Sequence, residues 1–206
     1  MTDDYIVRDV ADLESLYGVV NEASALKEVT YLHPHYAAFV KASPFAVLAT
    51  TGPHGVDVSP RGDTPGFVEI VDDKTLLLAD RRGNNRIDSL KNVLKSPYVA
   101  LLFLIPGIGE TLRVNGTAEI TVDPALIGRF TLGDKAPRSL LRIHIESVFF
   151  QCSRALIRSE LWNPERHVPR STLPSTGQIL AAVTHDRIDA ETYDRELPPH
   201  LRATLY

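Results

Sequence analysis

Cysteine is nearly absent from this chain of 206 residues, in which Cys152 is the only one. A single thiol excludes an intramolecular disulfide and a cysteine-rich metal site. Long apolar runs are missing too, since VALLFLI at 99–105 is far shorter than the roughly 20 residues that cross a bilayer. The first residues, MTDDYIVRDV, are acidic and do not have the basic-then-apolar pattern of a leader. These absences predict a cytoplasmic protein without a membrane partner.

A basic excess is missing as well, because the formal net charge is −4 at pH 7. A protein whose main partner is nucleic acid needs a basic face, so we expect no nucleic-acid partner. The positive charge that is present is concentrated locally, with three arginines in the seven residues DRRGNNR at 80–86. A basic cluster in an acidic protein indicates a small anionic ligand.

The hydrophobic pattern divides the chain into three parts. Residues 1–43 have helical spacing, with Asp9 and Pro34 at the starts of two helices. Residues 44–162 alternate strand-like segments with Gly and Pro turns, which predicts a mainly β domain with flanking helices, built as an antiparallel barrel of six strands. Residues 163–206 are predicted to form an arm with two short helices that packs on the barrel or on a partner subunit.

Two basic turns are candidates for an anion site, one after the strand VDVS and one at the start of a helix. The side chains concerned are Arg61, Arg81, Arg82, Asn84, Asn85 and Arg86. A helix N-terminus leaves backbone N–H groups unpaired, Gly83 allows close backbone approach, and arginine forks match phosphate oxygens. The alternative is that the arginines are solvated and that Asn84 only caps the helix. Asp63 is expected to pair with Arg61 or to orient it.

Three other features bear on the site. Arg113 alternates with apolar neighbours in LRVNG, which allows its side chain to point toward a ligand or toward solvent. Cys152 at a strand end is either a reactive thiol beside an arginine or a buried small apolar residue, and the second interpretation is favoured. The sequence has no serine–histidine–acid set and no metal-ligand cluster, so we assign neither catalytic residues nor a metal.

Four segments of the chain resemble the pyridoxamine 5′-phosphate oxidase-like family of FMN-binding split barrels. The segments that carry this likeness are VDVSPRGDTPGFV, LLLADRRGNNRIDSLKNV, VALLFLIPGIGETLRVNGTAEI and CSRALIRSELW, within residues 40–165. The likeness extends to the branch of the family that shares the SPRGD, RRGNNR and LRVNG blocks. It implies a six-stranded split barrel that binds FMN at the interface of a homodimer.

The resemblance also implies a place for each cofactor contact. Arg61 and Arg86, with Asn85 beside Arg86, would hold the cofactor phosphate. The ring would be lined through backbone groups by Val58 and Ser59 on its pyrimidine side and by Ala79 and Asp80 at its edge. Arg158 and Trp162, in ALIRSELW, would complete the site of the other subunit.

The function that the resemblance implies is an FMN-dependent oxidoreductase acting on an unidentified small organic substrate. Pyridoxamine phosphate is disfavoured as that substrate, because the R-x-V-L-L-K pattern of the oxidases proper is replaced by DVSPR, and their C-terminal tryptophan and arginine-leucine-histidine block is not recognisable. The alternatives are a non-catalytic flavin- or haem-binding carrier or sensor, and a reductase that uses F420. The long acidic tail of F420 would require an extended basic groove.

Overall fold

The computed structural model describes residues 5–53 and 55–206, so the predictions made for residues 1–4 and for His54 lie outside the described residues. The strands are β1 (Phe45–Gly52), β2 (Gly55–Gly62), β3 (Val68–Ile70), β4 (Thr75–Ala79), β5 (Tyr98–Leu104), β6 (Thr111–Thr121) and β7 (Leu140–Gln151). They form a single antiparallel sheet in the order β2-β1-β5-β6-β7-β4-β3. The predicted mainly β antiparallel architecture is therefore confirmed.

The predicted number of six strands was wrong, because the described chain contains seven. The seventh is explained by the hairpin of β3 and β4, in which GFVEIV contributes a short edge strand of only three residues. No ladder joins β2 to β3 among the described residues, so the sheet is open and is not a closed six-stranded barrel. The sheet is nevertheless strongly curved, since Arg61 at the end of β2 forms an ion pair with Asp80 just after β4.

Helices precede, interrupt and follow the strand region in sequence. They are α1 (Val10–Leu16), α2 (Glu22–Leu26), α3 (Pro34–Ala42), α4 (Asp88–Lys95), α5 (Pro124–Arg129), α6 (Arg154–Ser159), α7 (Thr176–Thr184) and α8 (Ala190–Ala203), with 3-10 turns at Pro164–Arg166 and Arg170–Thr172. Asp9 caps α1 by accepting a hydrogen bond from the backbone of Asp12. Within the described chain, no helix has the length and apolar content needed to cross a membrane.

The main hydrophobic core lies on the concave face of the sheet, beneath α3 and α4. Alternate residues of β1, β5, β6 and β7 point inward, which is the period of two expected for strands with one buried face. Strand β4 is buried on both faces. The inward set includes Leu48, Leu76, Leu101, Phe103, Leu112, Val114, Ile143 and Ile145, and Val40 of α3 and Val93 of α4 complete it. Full burial of each such side chain contributes about 1.5–3 kcal/mol, so this core fixes the strand register on which the site depends.

A bulge interrupts the longest ladder of the sheet, between β6 and β7. The register shifts between Asn115 and Gly116. A Cβ at Gly116 would lie 1.9 Å from the carbonyl oxygen of His144, a distance at which no side chain fits. The bulge therefore requires glycine at this position.

Candidate functional site

A cleft of about 1170 Å³ lies where the end of β2, the turn after β4, the start of α4 and the segment before β7 meet. Antiparallel pairing brings these segments together, because Ala79 at the end of β4 is opposite Leu140 at the start of β7. The backbone N–H of Asp80 continues this pairing by donating to the carbonyl of Ser139 over 3.0 Å. As a result, residues 134–139 form the wall that faces the RRGNNR turn.

Nine of the twelve residues that the sequence places at a cofactor line this cleft. They are Val58, Ser59, Arg61, Ala79, Asp80, Arg82, Asn84, Asn85 and Arg86. Alternation along β2 places Ser59 and Arg61 on the face of the sheet that lines the cleft. Their partners on β1 are Leu48 and Ala46. The side chain of Val58 points to the opposite face and is 64% exposed. Val58 thus contributes backbone to the cleft wall.

Arg61 has a hydrogen-bond donor that no described residue satisfies. Its side chain is 19% exposed and its Nη1 pairs with Asp80 Oδ1 at 3.0 Å. Its Nε is buried and has no hydrogen-bond partner among the described residues. Leaving a buried donor unsatisfied costs about 1–3 kcal/mol, more for a charged group, so an acceptor from a bound ligand would relieve this cost.

The N-terminus of α4 also opens onto the cleft without a cap. Its N-cap residue is Ile87, in the left-handed region with φ 52°, and no side chain caps the helix. A β-branched residue rarely adopts this conformation, and such strain concentrates at binding sites. Asn84 accepts a hydrogen bond from the backbone of Arg86 over 3.0 Å, so it closes the turn before the helix and does not cap the helix itself. The first N–H groups of α4 remain available to an anion.

The other basic side chains of the cleft differ in how much of their charge is already paired. Arg86 forms an exposed ion pair with Asp88, with Nε 2.7 Å from Oδ2. The hydrogen bond in this pair lowers the pKa of the Asp88 carboxyl and raises the pKa of the Arg86 guanidinium. Arg82 is exposed and has no ion pair within residues 5–53 and 55–206. Arg138, which no sequence motif marks, also lines the cleft, and its Nη1 donates to Asn85 Oδ1 over 3.3 Å.

Asp63 does not pair with Arg61, which corrects the expectation from the sequence. Its Oδ2 accepts a hydrogen bond from Arg81 Nε at 3.0 Å, and its side chain is only 4% exposed. Its Oδ1 accepts from the hydroxyl of Tyr206 at 2.8 Å. Tyr206 lines the cleft and was also missed by the sequence analysis. Arg81 is therefore held in place by Asp63, and the Nε of Arg61 is left to donate to a ligand.

Three predicted site residues lie outside the cleft in this chain. Arg113 projects from the opposite face of the sheet, with its guanidinium 5.2 Å from the ring centroid of Phe149. Arg158 is exposed in the last turn of α6. Trp162 donates its indole N–H to the carbonyl of Ile108 over 2.8 Å. The cleft of a single chain is thus built without these three side chains.

The remaining candidates bear on catalysis and metals. Cys152 is exposed, so the favoured interpretation of a buried apolar residue was wrong. Its place is at the end of β7, where the strand leaves the sheet and burial ends. Among the described residues, no group of three or more His, Cys, Asp or Glu side chains is arranged to hold a metal ion.

Comparison with known proteins gives a match over the strand region of the chain. A family model described as pyridoxamine 5′-phosphate oxidase matches residues 32–152. No curated protein matches the sequence.

Several solved structures are similar to part of this chain. A variant of HupZ from Group A Streptococcus is 18% identical, with 58% of this chain and 99% of that chain covered and a TM-score of 0.49. A candidate pyridoxamine 5′-phosphate oxidase from Lactobacillus delbrueckii is 22% identical, with coverage of 59% and 95% and a TM-score of 0.45. An F420 reductase is 20% identical, with coverage of 58% and 98% and a TM-score of 0.40. At these identities and TM-scores, the likenesses say nothing about the ligand.

Proposed function

Because this chain belongs to the pyridoxamine 5′-phosphate oxidase family, we propose that its cleft binds FMN and that the protein is an FMN-dependent oxidoreductase for a small organic substrate. In this proposal residues 44–162 form the FMN-binding domain, of the split-barrel type, and residues 1–43 and 163–206 flank it. The protein is proposed to act in the cytoplasm.

The buried, unpaired Nε of Arg61 is the observation that carries this proposal. It lies at the same cleft as the uncapped start of α4, so two sources of unpaired N–H groups face one space. A phosphate group suits this combination, since its oxygens accept several charge-assisted hydrogen bonds at once. Arg61 and the backbone at 87–90 would hold the phosphate, and Arg82 and Arg86 would add positive charge at the rim.

The chain's own residues supply binding and electrostatics, whereas FMN, when bound, supplies the redox chemistry. The backbone of β2 at Val58 and Ser59 and that of Ala79 and Asp80 line the cleft beyond the arginines. These segments would orient the flavin ring through backbone N–H and carbonyl groups, because the ends of strands expose both kinds of group. Asp80 would also hold Arg61 in place, because the two side chains form an ion pair.

The visible absorption spectrum of the freshly purified protein tests the proposal, with the released chromophore identified by mass. Two flavin bands and the mass of FMN are expected. A sharp violet band would indicate haem and a binding role, and a released mass of F420 would indicate the deazaflavin reductase. A colourless protein that FMN does not reconstitute would contradict the proposal. Reduction by NADH or NADPH then separates enzyme from carrier, because a carrier is reduced slowly and without donor preference.

Gly83→Ala examines how closely the RRGNNR backbone approaches the phosphate. A Cβ at Gly83 meets no atom of the described residues within 4 Å, so the free energy of unfolding is expected to change by less than about 0.5 kcal/mol. The FMN affinity is expected to fall severalfold, because the methyl group occupies space that the phosphate uses. Fluorescence titration of FMN measures the affinity, with Gly18→Ala as a control that also adds its methyl group to open space. Equal FMN affinity in both variants would place the phosphate away from Gly83.

We also propose that the protein is a homodimer with FMN at the subunit interface. The outer face of β2 supports this, since Val56 is 76% exposed and Val58 is 64% exposed on an edge strand. Exposed apolar surface of this kind marks protein interfaces. In the dimer, Arg158 and Trp162 would complete the partner's cleft, consistent with their absence from the cleft of their own chain.

Val58→Asp is expected to convert the dimer into monomers, because each interface would gain a desolvated carboxylate. Sedimentation velocity measures the change. Val122→Asp is the matched control, since Val122 is 66% exposed in the segment between β6 and α5 and is expected to leave the dimer intact. A wild-type monomer, or a dimer that tolerates Val58→Asp, would refute this interface.

A further inference from the structure

The C-terminal arm is a helical hairpin with its own internal contacts. Helices α7 and α8 pack on each other. Asp194 of α8 accepts hydrogen bonds from the hydroxyl of Ser175 and, over 2.7 Å, from the backbone of Gly177. A Cβ at Gly177 would lie 2.2 Å from the carbonyl oxygen of Ala190, so the two helices meet closely at this point. The arm therefore behaves as a preformed unit, and its contact with the cleft is made by the residues after α8.

Tyr206 makes that contact at a junction of four chain segments. Its hydroxyl donates to Asp63 Oδ1 over 2.8 Å. Asp63 in turn accepts from Arg81 Nε, and Arg81 Nη1 donates to the carbonyl of Phe130 over 2.7 Å. The Arg81 guanidinium also lies 5.7 Å from the centroid of the Tyr206 ring. The junction thus ties the arm to the loop after β2, the turn after β4 and the end of α5.

We propose that Tyr206 is a positioning residue of the FMN cleft, which couples docking of the C-terminal arm to cofactor binding. This inference rests on the proposed function of the cleft. Tyr206 lines the same cleft as Arg61, and Arg81 begins the turn that carries Arg82 and Arg86. Docking of the arm fixes Arg81 through Asp63, and Arg81 fixes the turn. Tyr206 acts through these two residues and needs no contact with the cofactor.

The burial of Asp63 makes the contribution of Tyr206 specific. Asp63 Oδ1 accepts from the Tyr206 hydroxyl and from the backbone N–H of Thr64. The Asp63 side chain is nearly inaccessible to water, so loss of the first of these donors is poorly compensated by solvent. The carboxylate raises the pKa of the Tyr206 phenol above its usual value, and the hydroxyl therefore remains a donor throughout the neutral range. By linkage, a ligand that favours the ordered turn must also favour the docked arm, and by the same factor.

The test measures FMN affinity and arm protection in the full-length protein. The variants are Tyr206→Phe and Tyr206→Ala, with Leu205→Ala as the control, because Leu205 is the adjacent residue and is 65% exposed. Fluorescence titration of the FMN-free protein measures the affinity for FMN. Hydrogen exchange measured by mass spectrometry on residues 190–206, with and without FMN, measures docking of the arm.

We expect FMN to slow exchange in residues 190–206 of the wild type and of Leu205→Ala. We expect Tyr206→Phe to weaken FMN binding about 5-fold and Tyr206→Ala about 10-fold or more, as for loss of one hydrogen bond to a buried charge. FMN should then no longer protect the arm of either Tyr206 variant. Even without FMN, both variants should exchange faster in this segment than the control.

Three outcomes would overturn the inference in different ways. If all variants bound FMN as tightly as the wild type, with unchanged exchange in residues 190–206, the cleft would be an FMN site without coupling to the arm. Wild-type affinity in Tyr206→Phe alone would likewise overturn the route through Asp63. If neither the wild type nor Leu205→Ala bound FMN, the proposed function would fail, and this inference with it.

Discussion

Arg61→Ala is expected to lower the affinity for FMN by about 100-fold while the protein stays folded. The guanidinium would provide charge-assisted hydrogen bonds to the phosphate, each worth about 1.5–3 kcal/mol. Its removal also leaves the carboxylate of Asp80, which is 21% exposed, without its ion-pair partner beside the phosphate. Repulsion by this carboxylate adds to the loss, so truncation at Arg61 costs more than truncation of an unpaired surface arginine.

Fluorescence titration of the FMN-free protein measures this loss, and thermal unfolding checks the fold. Arg142→Ala is the matched control, since Arg142 also pairs with a carboxylate, that of Glu119, but does not line the cleft. Arg86→Ala alone should have a smaller effect, because Arg86 is 75% exposed and solvent screens its charge. Combined with Arg61→Ala, it should abolish FMN retention. Full retention by that double variant would remove the phosphate assignment.

The cleft could be predicted where neighbouring residues in the sequence supply it. The SPRGD and RRGNNR blocks provide six of its nine proposed cofactor contacts, and each block stays together in space because it is a strand end or a turn. Arg138 was missed because it lies 52 residues after Arg86 in sequence. The pairing of β4 with β7 brings it beside Asn85, and this pairing would have identified it.

Partnerships among charged residues could not be predicted in the same way. Asp63 is two residues from Arg61, which made their pairing an obvious expectation. Asp63, which lies just past the end of β2, instead accepts from Arg81, and its other oxygen accepts from Tyr206, which is 143 residues away in sequence. No periodicity in the sequence encodes a contact at that separation. The sequence therefore identified which arginines are present and left open which one has a free donor.

Helix ends show the same limit on a smaller scale. Asp123 accepts a hydrogen bond from the backbone of Ala125 and Pro124 occupies the first turn of α5, as local rules predict. Local rules favour a helix end before Pro198 and Pro199, yet α8 continues through both to Ala203. Proline removes backbone donors, but each ring also fixes a helical φ. The extension delivers Tyr206 to the cleft, so this departure from a local rule has a consequence for the site.

Gly116→Ala is expected to lower the free energy of unfolding by more than about 3 kcal/mol, which is in the range of the most damaging single substitutions. The new Cβ would lie 1.9 Å from the carbonyl oxygen of His144 and 3.0 Å from its carbonyl carbon. These are backbone atoms in the ladder between β6 and β7, so no side-chain rotation relieves the contact. The two strands would have to separate, and β7 also sets the register of β4 at the cleft.

Urea unfolding followed by circular dichroism measures this loss, and Gly128→Ala is the matched control. A Cβ at Gly128 meets no atom within 4 Å, and the residue lies inside α5, where alanine is favoured over glycine by about 1 kcal/mol. The control should therefore unfold at the wild-type urea concentration or above it. Equal midpoints for the two variants would show that the bulge at Asn115 and Gly116 accommodates a side chain. In that case glycine would be required there neither for the ladder nor for the position of β4 beside the cleft.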